Sequence, residues 1–317
     1  MDLLERYRAP VVSALAEVVP SEGPLRTLVG YPLGAVGEDG APRPGIGGKL
    51  LRPSLVCLGC EALGGEVDRA LPLAAAVELV HTFSLVHDDI VDGDRLRRGR
   101  PTAWAVFGKD QALHAGDALL ALAFRVAAEA ALPQAVAGLA QATVAMVEGQ
   151  VRDLEMEGRR VTVGAYLGMV RGKTGALLGC SLELGALAAG RADLAPAHRR
   201  VGETLGIAFQ VRDDWLGIWG DPAHLGKPVG GDLARGKRSF PVVWGLERDP
   251  SLGELLDQGR WEEARDRLAA LGAKEATAAE AERLLAEAES GARALPWAAW
   301  AQGAFADLCR GLASRVT

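Results

Sequence analysis

Apolar residues recur at helical spacing through most of the chain, with polar residues filling the opposite faces. The pattern is present over residues 2–19. From Leu50 onward it predicts helices over 50–64, 69–92, 110–132, 134–156, 163–172, 174–190 and 196–220. Shorter helices are predicted over 240–247, 259–270, 275–292 and 299–315, after a Gly- and Lys-rich break at 221–239. Residues 31–48, YPLGAVGEDGAPRPGIGG, are dense in Gly and Pro and read as loop. No alternating strand pattern of useful length, no repeat at fixed period and no flexible linker is present. The expected architecture is all-α, one domain over residues 1–317.

Composition supports this. The apolar content is mostly Ala, Leu and Val, with only four Ile (Ile46, Ile90, Ile207, Ile218); Ala and Leu are good helix formers. At 49% hydrophobic and 24% charged residues the chain is not disordered. A net charge of −6 leaves no electrostatic footprint for nucleic acid or anionic lipid. The best candidate membrane spans fail: 119–139 contains Arg125, Glu129 and Pro133, and 175–190 is short and contains Glu183. The opening MDLLERYRAP does not resemble a signal peptide. Four Cys suggest free thiols in a cytoplasmic protein rather than a disulfide framework. Cys57 and Cys60 form a CxxC, but an apolar setting without a second metal-ligand pair favours packed core thiols over zinc or redox chemistry.

The informative chemistry lies in Val80–Thr102, VHTFSLVHDDIVDGDRLRRGRPT. Asp88, Asp89 and Asp92 end an otherwise apolar helix. Asp88 and Asp92 are one turn apart on nearly one face. They repel each other and meet the unfavourable end of the helix dipole, so a cation is expected to neutralise them. Hard oxygen ligands suit Mg²⁺, which completes its shell with water and phosphate oxygens. Arg95, Arg97 and Arg98 follow at once, and guanidinium forks suit a diphosphate. Alone, this could be a solvated acidic helix end before a basic loop. A second cluster of the same kind argues otherwise. In GIAFQVRDDWLGIWGD, Gln210, Asp213 and Asp214 share a helix, and Lys227 and Lys237 follow on a Gly-rich loop. Acid cluster then basic loop, twice, points to a multi-metal phosphate site.

Five motifs in order make the resemblance specific. GGKLLRP (47–53), HTFSLVHDDIVDGDRLRRGRPT (81–102), GKTGALL (172–178), FQVRDD (209–214) and GKPVGGDLARGK (226–237) resemble the trans-prenyltransferases, the short-chain isoprenyl diphosphate synthases. The likeness covers roughly residues 40–245; the last third carries no usable motif. It implies a large all-α fold around a deep central cavity, the two aspartate motifs facing across its mouth, and a homodimer. It implies that isopentenyl diphosphate and an allylic diphosphate are the substrates. Three Mg²⁺ per active site are implied, with Mn²⁺ able to substitute. Asp88 and Asp92 would bind metal with Asp89 supporting, and Asp213 would bind a further metal with Asp214 supporting. Arg97, Lys173, Lys227 and Lys237 would hold the allylic diphosphate. Lys49, Arg52, His81 and Arg98 would hold isopentenyl diphosphate. Thr174 and Gln210 would face the developing carbocation. Lys173 and Thr174 are expected to open a helix, a setting that also favours phosphate. His87 and His114 receive no role, and the seven Trp are read as packing.

One position departs from the family pattern. The second motif commonly carries an aspartate four residues after its first, and here that place is Gly217; Asp221 lies one further turn along. The whole stretch DDWLGIWGDP resembles that of some family members, so Gly217 is not read as inactivating. Phe83 and Ser84, five and four residues before Asp88, with no insertion in DDIVD, resemble the pattern of geranylgeranyl synthases, a C20 product. Phe83 would lie roughly 7.5 Å below Asp88 along the helix. C15 and C25 products remain alternatives. So do a non-catalytic partner subunit, which would be expected to lose some of these residues, a terpene cyclase, which has no need of Lys49, Arg52 and Arg98, and an isoprenoid-binding protein, which has no need of two metal clusters.

Overall fold

The computed structural model describes residues 2–43, 46–220, 233 and 236–314. The chain divides into two compact units. The first comprises residues 1–141, 180–198 and 296–304; the second comprises 142–179, 199–295 and 305–317.

In the first unit, α1 (Leu3–Val18) is capped by Asp2, whose carboxylate accepts from Leu4 N at 3.0 Å. It buries Leu3, Tyr7, Val11, Leu15 and Val18, a stripe at helical spacing. α2 (Pro24–Leu33) is not foreseen by the sequence pattern and reaches into the stretch expected as loop. Pro24 starts it and Gly34, at φ 85°, ends it. The helix is short, carries an internal Pro32, and is held by burial of Val29, Tyr31 and Leu33. α3 (Leu51–Glu61) buries every residue from Pro53 to Cys60. All four Cys are free and buried, and burial pushes the Cys57 thiol up to about 12, which agrees with core thiols.

α4 (Val67–Asp92) is buried all round from Leu73 to Val80, the signature of a central core helix. It is long and apolar enough to cross a membrane by length and composition, a property the sequence reading missed by weighing only 119–139 and 175–190. Two thirds of its most apolar stretch is covered by protein (67%), so packing accounts for its apolarity. After Gly93 a two-stranded hairpin forms, β1 (Leu96–Arg97) with β2 (Arg100–Pro101). Its turn residues Arg98 and Gly99 both have positive φ, 52° and 74°, as a tight two-residue hairpin turn requires. α5 (Ala103–Phe107) is a single turn leading to α6 (Lys109–Glu129). α6 offers α4 a seam of small residues, Ala112, Ala115 and Gly116. A Cβ on Gly116 would lie 2.1 Å from His87 Nε2, so only glycine admits that ring.

α7 (Pro133–Met156) precedes α8 (Val163–Val170), which continues through one π turn, Arg171–Gly175, into α9 (Ala176–Ala188). The two helices expected over 163–172 and 174–190 are therefore one run. Glycines on the neighbouring helices α7 and α10 allow close packing against it. A Cβ on Gly149 would lie 2.2 Å from Lys173 N, and one on Gly206 would lie 2.6 Å from Gly175 Cα. α10 (Ala195–Trp219) carries Gly202 and Gly206 against that run. The second unit continues with α11 (Phe240–Arg248), α12 (Leu252–Asp257), α13 (Trp261–Ala270) and α14 (Ala273–Arg293). Val242, Leu246, Leu252, Leu256 and Leu268 form their shared core with Ile218 of α10. α15 (Ala299–Ala313) closes the described chain. The all-α expectation holds, with the hairpin as a small exception.

Candidate functional site

One candidate cluster, in the first unit, is built on the end of α4. Asp89 is buried at 4% exposure, whereas Asp92 is exposed and Asp88 is half-buried. This follows from helix geometry: Asp89 is rotated about 100° from Asp88 and points inward. Arg97 of the hairpin clasps it, with Nε and Nη2 each 2.7 Å from Oδ1. The hairpin is tied to the helix end in turn. Gly93 N and Asp94 N donate to Asp89 O, and Thr102 Oγ1 and Trp104 Nε1 donate to Asp94 O at 2.9 and 2.8 Å. Arg97, expected as a diphosphate ligand, is thus also the counter-ion of Asp89.

Beside this lies a cavity of about 310 Å³. Glu78, His81 and Asp89 line it from α4, and Arg97, Arg98 and Arg100 line it from the hairpin. Arg52 Nη1 is 3.2 Å from His81 Nε2. Burial, with Arg52, Arg98 and Arg97 nearby, holds His81 well below its ordinary range, so the ring is neutral and Nε2 is the acceptor. Burial also brings Arg52 down to about 10, which leaves it charged at neutral pH. Gly48, at φ 95°, makes room for Arg98: a Cβ there would lie 2.7 Å from Nη1. The structure therefore groups Arg52, His81 and Arg98 as expected. Lys49, on the segment leading into α3, is exposed and outside the cavity lining. Among the described residues, Arg52 Nε and Arg100 Nη2 are buried without a hydrogen-bond acceptor, which suits an anionic ligand.

Phe83 is 8% exposed and meets the His87 ring edge-on at 4.8 Å. Ser84 Oγ donates to His81 O at 2.8 Å. Neither residue lines the 310 Å³ cavity.

A second cluster, in the second unit, is built on α10 and the π turn. Asp213 is exposed and Asp214 is buried at 8% exposure. Asp214 accepts from the Tyr166 hydroxyl, from Phe240 N at 2.7 Å and from Gln210 Nε2 at 3.0 Å. Burial pushes its carboxyl up to about 7, against the pull of those three donors. Gln210 Oε1 accepts from Thr174 Oγ1 at 3.0 Å, so Thr174, Gln210 and Asp214 form one chain of hydrogen bonds. Lys173 Nζ lies 2.5 Å from Asp153 Oδ2 of α7. Lys173, Gln210, Asp213, Asp214 and Lys237 share the wall of a cavity of about 70 Å³ with Asp153 and Tyr166. Lys227 and Asp221 fall outside the described residues.

Lys173 and Thr174 do not open a helix. They occupy the π turn in the middle of a continuous run, so the expected helix N-terminus is not there. π turns interrupt helices at functional positions often enough to give these two residues another claim to attention. Sequence reasoning missed Glu78, Arg100, Asp153 and Tyr166. Glu78 had a signal, a lone acid inside AAAVELV. Asp153 had none, being one of several acids in VEGQVRDLEMEG.

Among the described residues no three His, Cys, Asp or Glu side chains converge as a ready metal site. Asp88 and Asp92 still fit Mg²⁺, because that ion needs only one or two carboxylates when phosphate oxygens and water complete its shell.

Residues 44–270 match the Polyprenyl synthetase family. The chain is 47% identical to a geranylgeranyl diphosphate synthase of Mycobacterium tuberculosis over 77% of its length and 72% of that protein's. It is 44% identical to a (2E,6E)-farnesyl diphosphate synthase of Mycobacterium bovis over 73% of its length and 66% of that protein's. The fold is similar to that of a polyprenyl synthetase from Streptomyces coelicolor A3(2), with a TM-score of 0.91, 37% identity and 98% of both chains covered.

Proposed function

The chain belongs to the polyprenyl synthetase family, a family of prenyltransferases, and from that premise we propose that it condenses isopentenyl diphosphate with an allylic diphosphate to give geranylgeranyl diphosphate. We take the described units to act together as one catalytic domain of a cytoplasmic homodimer. The exposed apolar stripe Val144, Val147, Val151 and Leu154 on α7 offers a face for the second copy.

The observation that carries the reading is the pairing, on one unit, of the Asp88–Asp92 helix end with the cavity lined by His81 and Arg98, behind which Arg52 meets His81. One group suits a metal-bound diphosphate and the other a diphosphate held by side chains alone. Mg²⁺ held by Asp88 and Asp92, and by Asp213, would supply neutralising charge for the leaving diphosphate. Arg97, Lys173 and Lys237 would add fixed positive charge around that diphosphate, so that the allylic C–O bond can ionise. The oxygens of the hydrogen-bonded Thr174 and Gln210 would face the allyl cation, which has to be kept from water. Arg52, Arg98 and His81 hold isopentenyl diphosphate so that its double bond attacks; Lys49, exposed and outside the cavity lining, belongs to that set on the family resemblance alone. A proton then leaves the new C–C bonded product for the departing diphosphate.

The test is incubation of the purified chain with isopentenyl diphosphate, each allylic starter and Mg²⁺, followed by chromatography of the dephosphorylated products. A C20 product is expected, and the absence of any product from the chain alone would favour the partner-subunit reading. The relatives named above include both C20 and C15 synthases by title, so product length rests on Phe83 and Ser84. Phe83→Ala is expected to shift products to C25 and longer, and Ser84→Phe toward C15. An unchanged distribution in Phe83→Ala places the stop at another residue.

A further inference from the structure

The cavity beside α4 contains an acid that the reaction as described does not use. Glu78 lies one turn before His81 and is 8% exposed. The charged and titratable groups around it come from four elements: Arg52 from α3, Arg97, Arg98 and Arg100 from the hairpin, Tyr31 from α2, and His81 and Asp89 from α4 itself. Asp89 is engaged by Arg97. Tyr31 donates its hydroxyl to Pro101 O at 2.8 Å, and its ring lies under the Arg100 guanidinium. Among the described residues Glu78 makes no hydrogen bond or ion pair with either arginine; it balances Arg52 and Arg98 across the cavity, and both draw its carboxyl toward ionisation.

We propose that Glu78 is a positioning residue whose buried carboxylate compensates the Arg52 and Arg98 charges across the cavity, and that it takes up a proton when a diphosphate brings them a closer counter-ion. The proposal rests on the reading that this cavity takes isopentenyl diphosphate. A diphosphate brings more charge and more acceptor oxygens than one carboxylate, so the guanidinium groups turn to it. Two anions then compete for the same cations in a confined space, and the more basic of them, the buried carboxylate, is relieved by a proton from solvent. Burial already pushes Glu78 up to about 7, close to the point of protonation. His81 is the competing proton acceptor, because an anion would offset the three arginines that hold it neutral.

The experiment is calorimetric titration of the full chain with isopentenyl diphosphate alone, in chelator, at about pH 8 in buffers of different ionisation enthalpy. Uptake approaching one proton is expected for the wild type and for His81→Gln, with uptake lost in Glu78→Gln. The wild type supplies an independent check, since proton uptake requires affinity to fall as pH rises, by up to about tenfold per unit between roughly pH 7.5 and 9. A flat affinity over that range overturns the proposal. So does undiminished uptake in a Glu78→Gln chain that still binds, while uptake lost only in His81→Gln assigns the proton to the histidine. Failure of the wild type to bind isopentenyl diphosphate at all overturns the functional reading together with this one.

Discussion

The two Asp-Asp pairs, Asp88–Asp89 and Asp213–Asp214, solve one problem in two electrostatic ways. In each pair the second carboxylate is buried and the first is more accessible. That division follows from the 100° step between neighbours on a helix. The buried members differ in what holds them. Asp89 is clasped by a cation, Arg97. Asp214 is held by neutral donors, the Tyr166 hydroxyl, Phe240 N–H and the Gln210 amide. A cation compensates a buried charge directly, while neutral donors leave Asp214 pushed up to about 7. The cations differ as well. The first half presents Arg98 and Arg100 to its cavity, while in the second Lys173 is already paired with Asp153. The inward carboxylate in each cluster orders its surroundings, and the proposed function assigns the chemistry to the more accessible one.

The largest expected effect breaks that division of labour. Asp88→Ala and Asp213→Ala should each lower kcat by about two to three orders of magnitude, as losing a charge-stabilising group at a reacting phosphate does. Circular dichroism should remain that of the wild type, because both side chains lie at least partly in solvent. Excess chelator should abolish turnover of the wild type. Asp213→Ala retaining wild-type turnover would remove the second helix from the metal chemistry and leave the comparison without its functional half.

Much of the first half was legible in the sequence because its parts are close together along the chain. Asp88, Asp89, Asp92, Arg97 and Arg98 all lie within eleven residues, Asp88 to Arg98, and the helix period alone sets most of their arrangement. The second half was harder to read. The partner of Lys173 is Asp153, on another helix, and the partner of Asp214 is Tyr166, forty-eight positions away. Those contacts depend on close packing at Gly149, Gly175 and Gly206, and which helices approach there is not written in either helix's own periodicity. A single π turn at Arg171–Gly175 likewise leaves little mark in the pattern, so one run reads as two helices. α2 was missed because its Pro and Gly content outweighs its periodicity, and only tertiary burial of Val29, Tyr31 and Leu33 settles it. The hairpin was missed because two residues per strand leave no alternation to detect.

A smaller effect concerns stability. Asp214 and Glu78 are each pushed up to about 7, one in each unit. The ordinary carboxyl value is about 4. Between these values the folded chain keeps protons that the unfolded chain has lost, so stability falls as pH rises from about 4 to 7 and levels off above. Three pKa units bound the effect at about 4 kcal/mol per group. Asp214→Asn should remove about half of this slope, and Glu78→Gln the other half. Urea midpoints at about pH 5 and pH 8 measure it. A slope unchanged in Asp214→Asn would mean that its three donors hold the carboxylate ionised, and the contrast with Asp89 would close.

The smallest expected effect sharpens the comparison at Gly217. On α4, Asp88 has Asp92 one turn later; on α10, the residue one turn after Asp213 is Gly217. If a second carboxylate on the same face helps hold metal, Gly217→Asp should lower the Mg²⁺ concentration for half-maximal rate. Ligand charge count tunes such sites. Part of the gain is offset by repulsion between like charges at i, i+4, a few tenths of a kcal/mol before metal binds. The net shift should therefore be modest, about twofold to fivefold, with kcat little changed. Gly217→Ala is the necessary control, because replacing a helical glycine alone stabilises α10 by up to about 1 kcal/mol. The readout is the Mg²⁺ dependence of rate for both variants. Equal curves for Gly217→Asp and Gly217→Ala would show that the carboxylate adds nothing at this place. The second half would then work with Asp213 as its sole outward acid on α10, a real asymmetry between the two aspartate helices rather than a missing ligand.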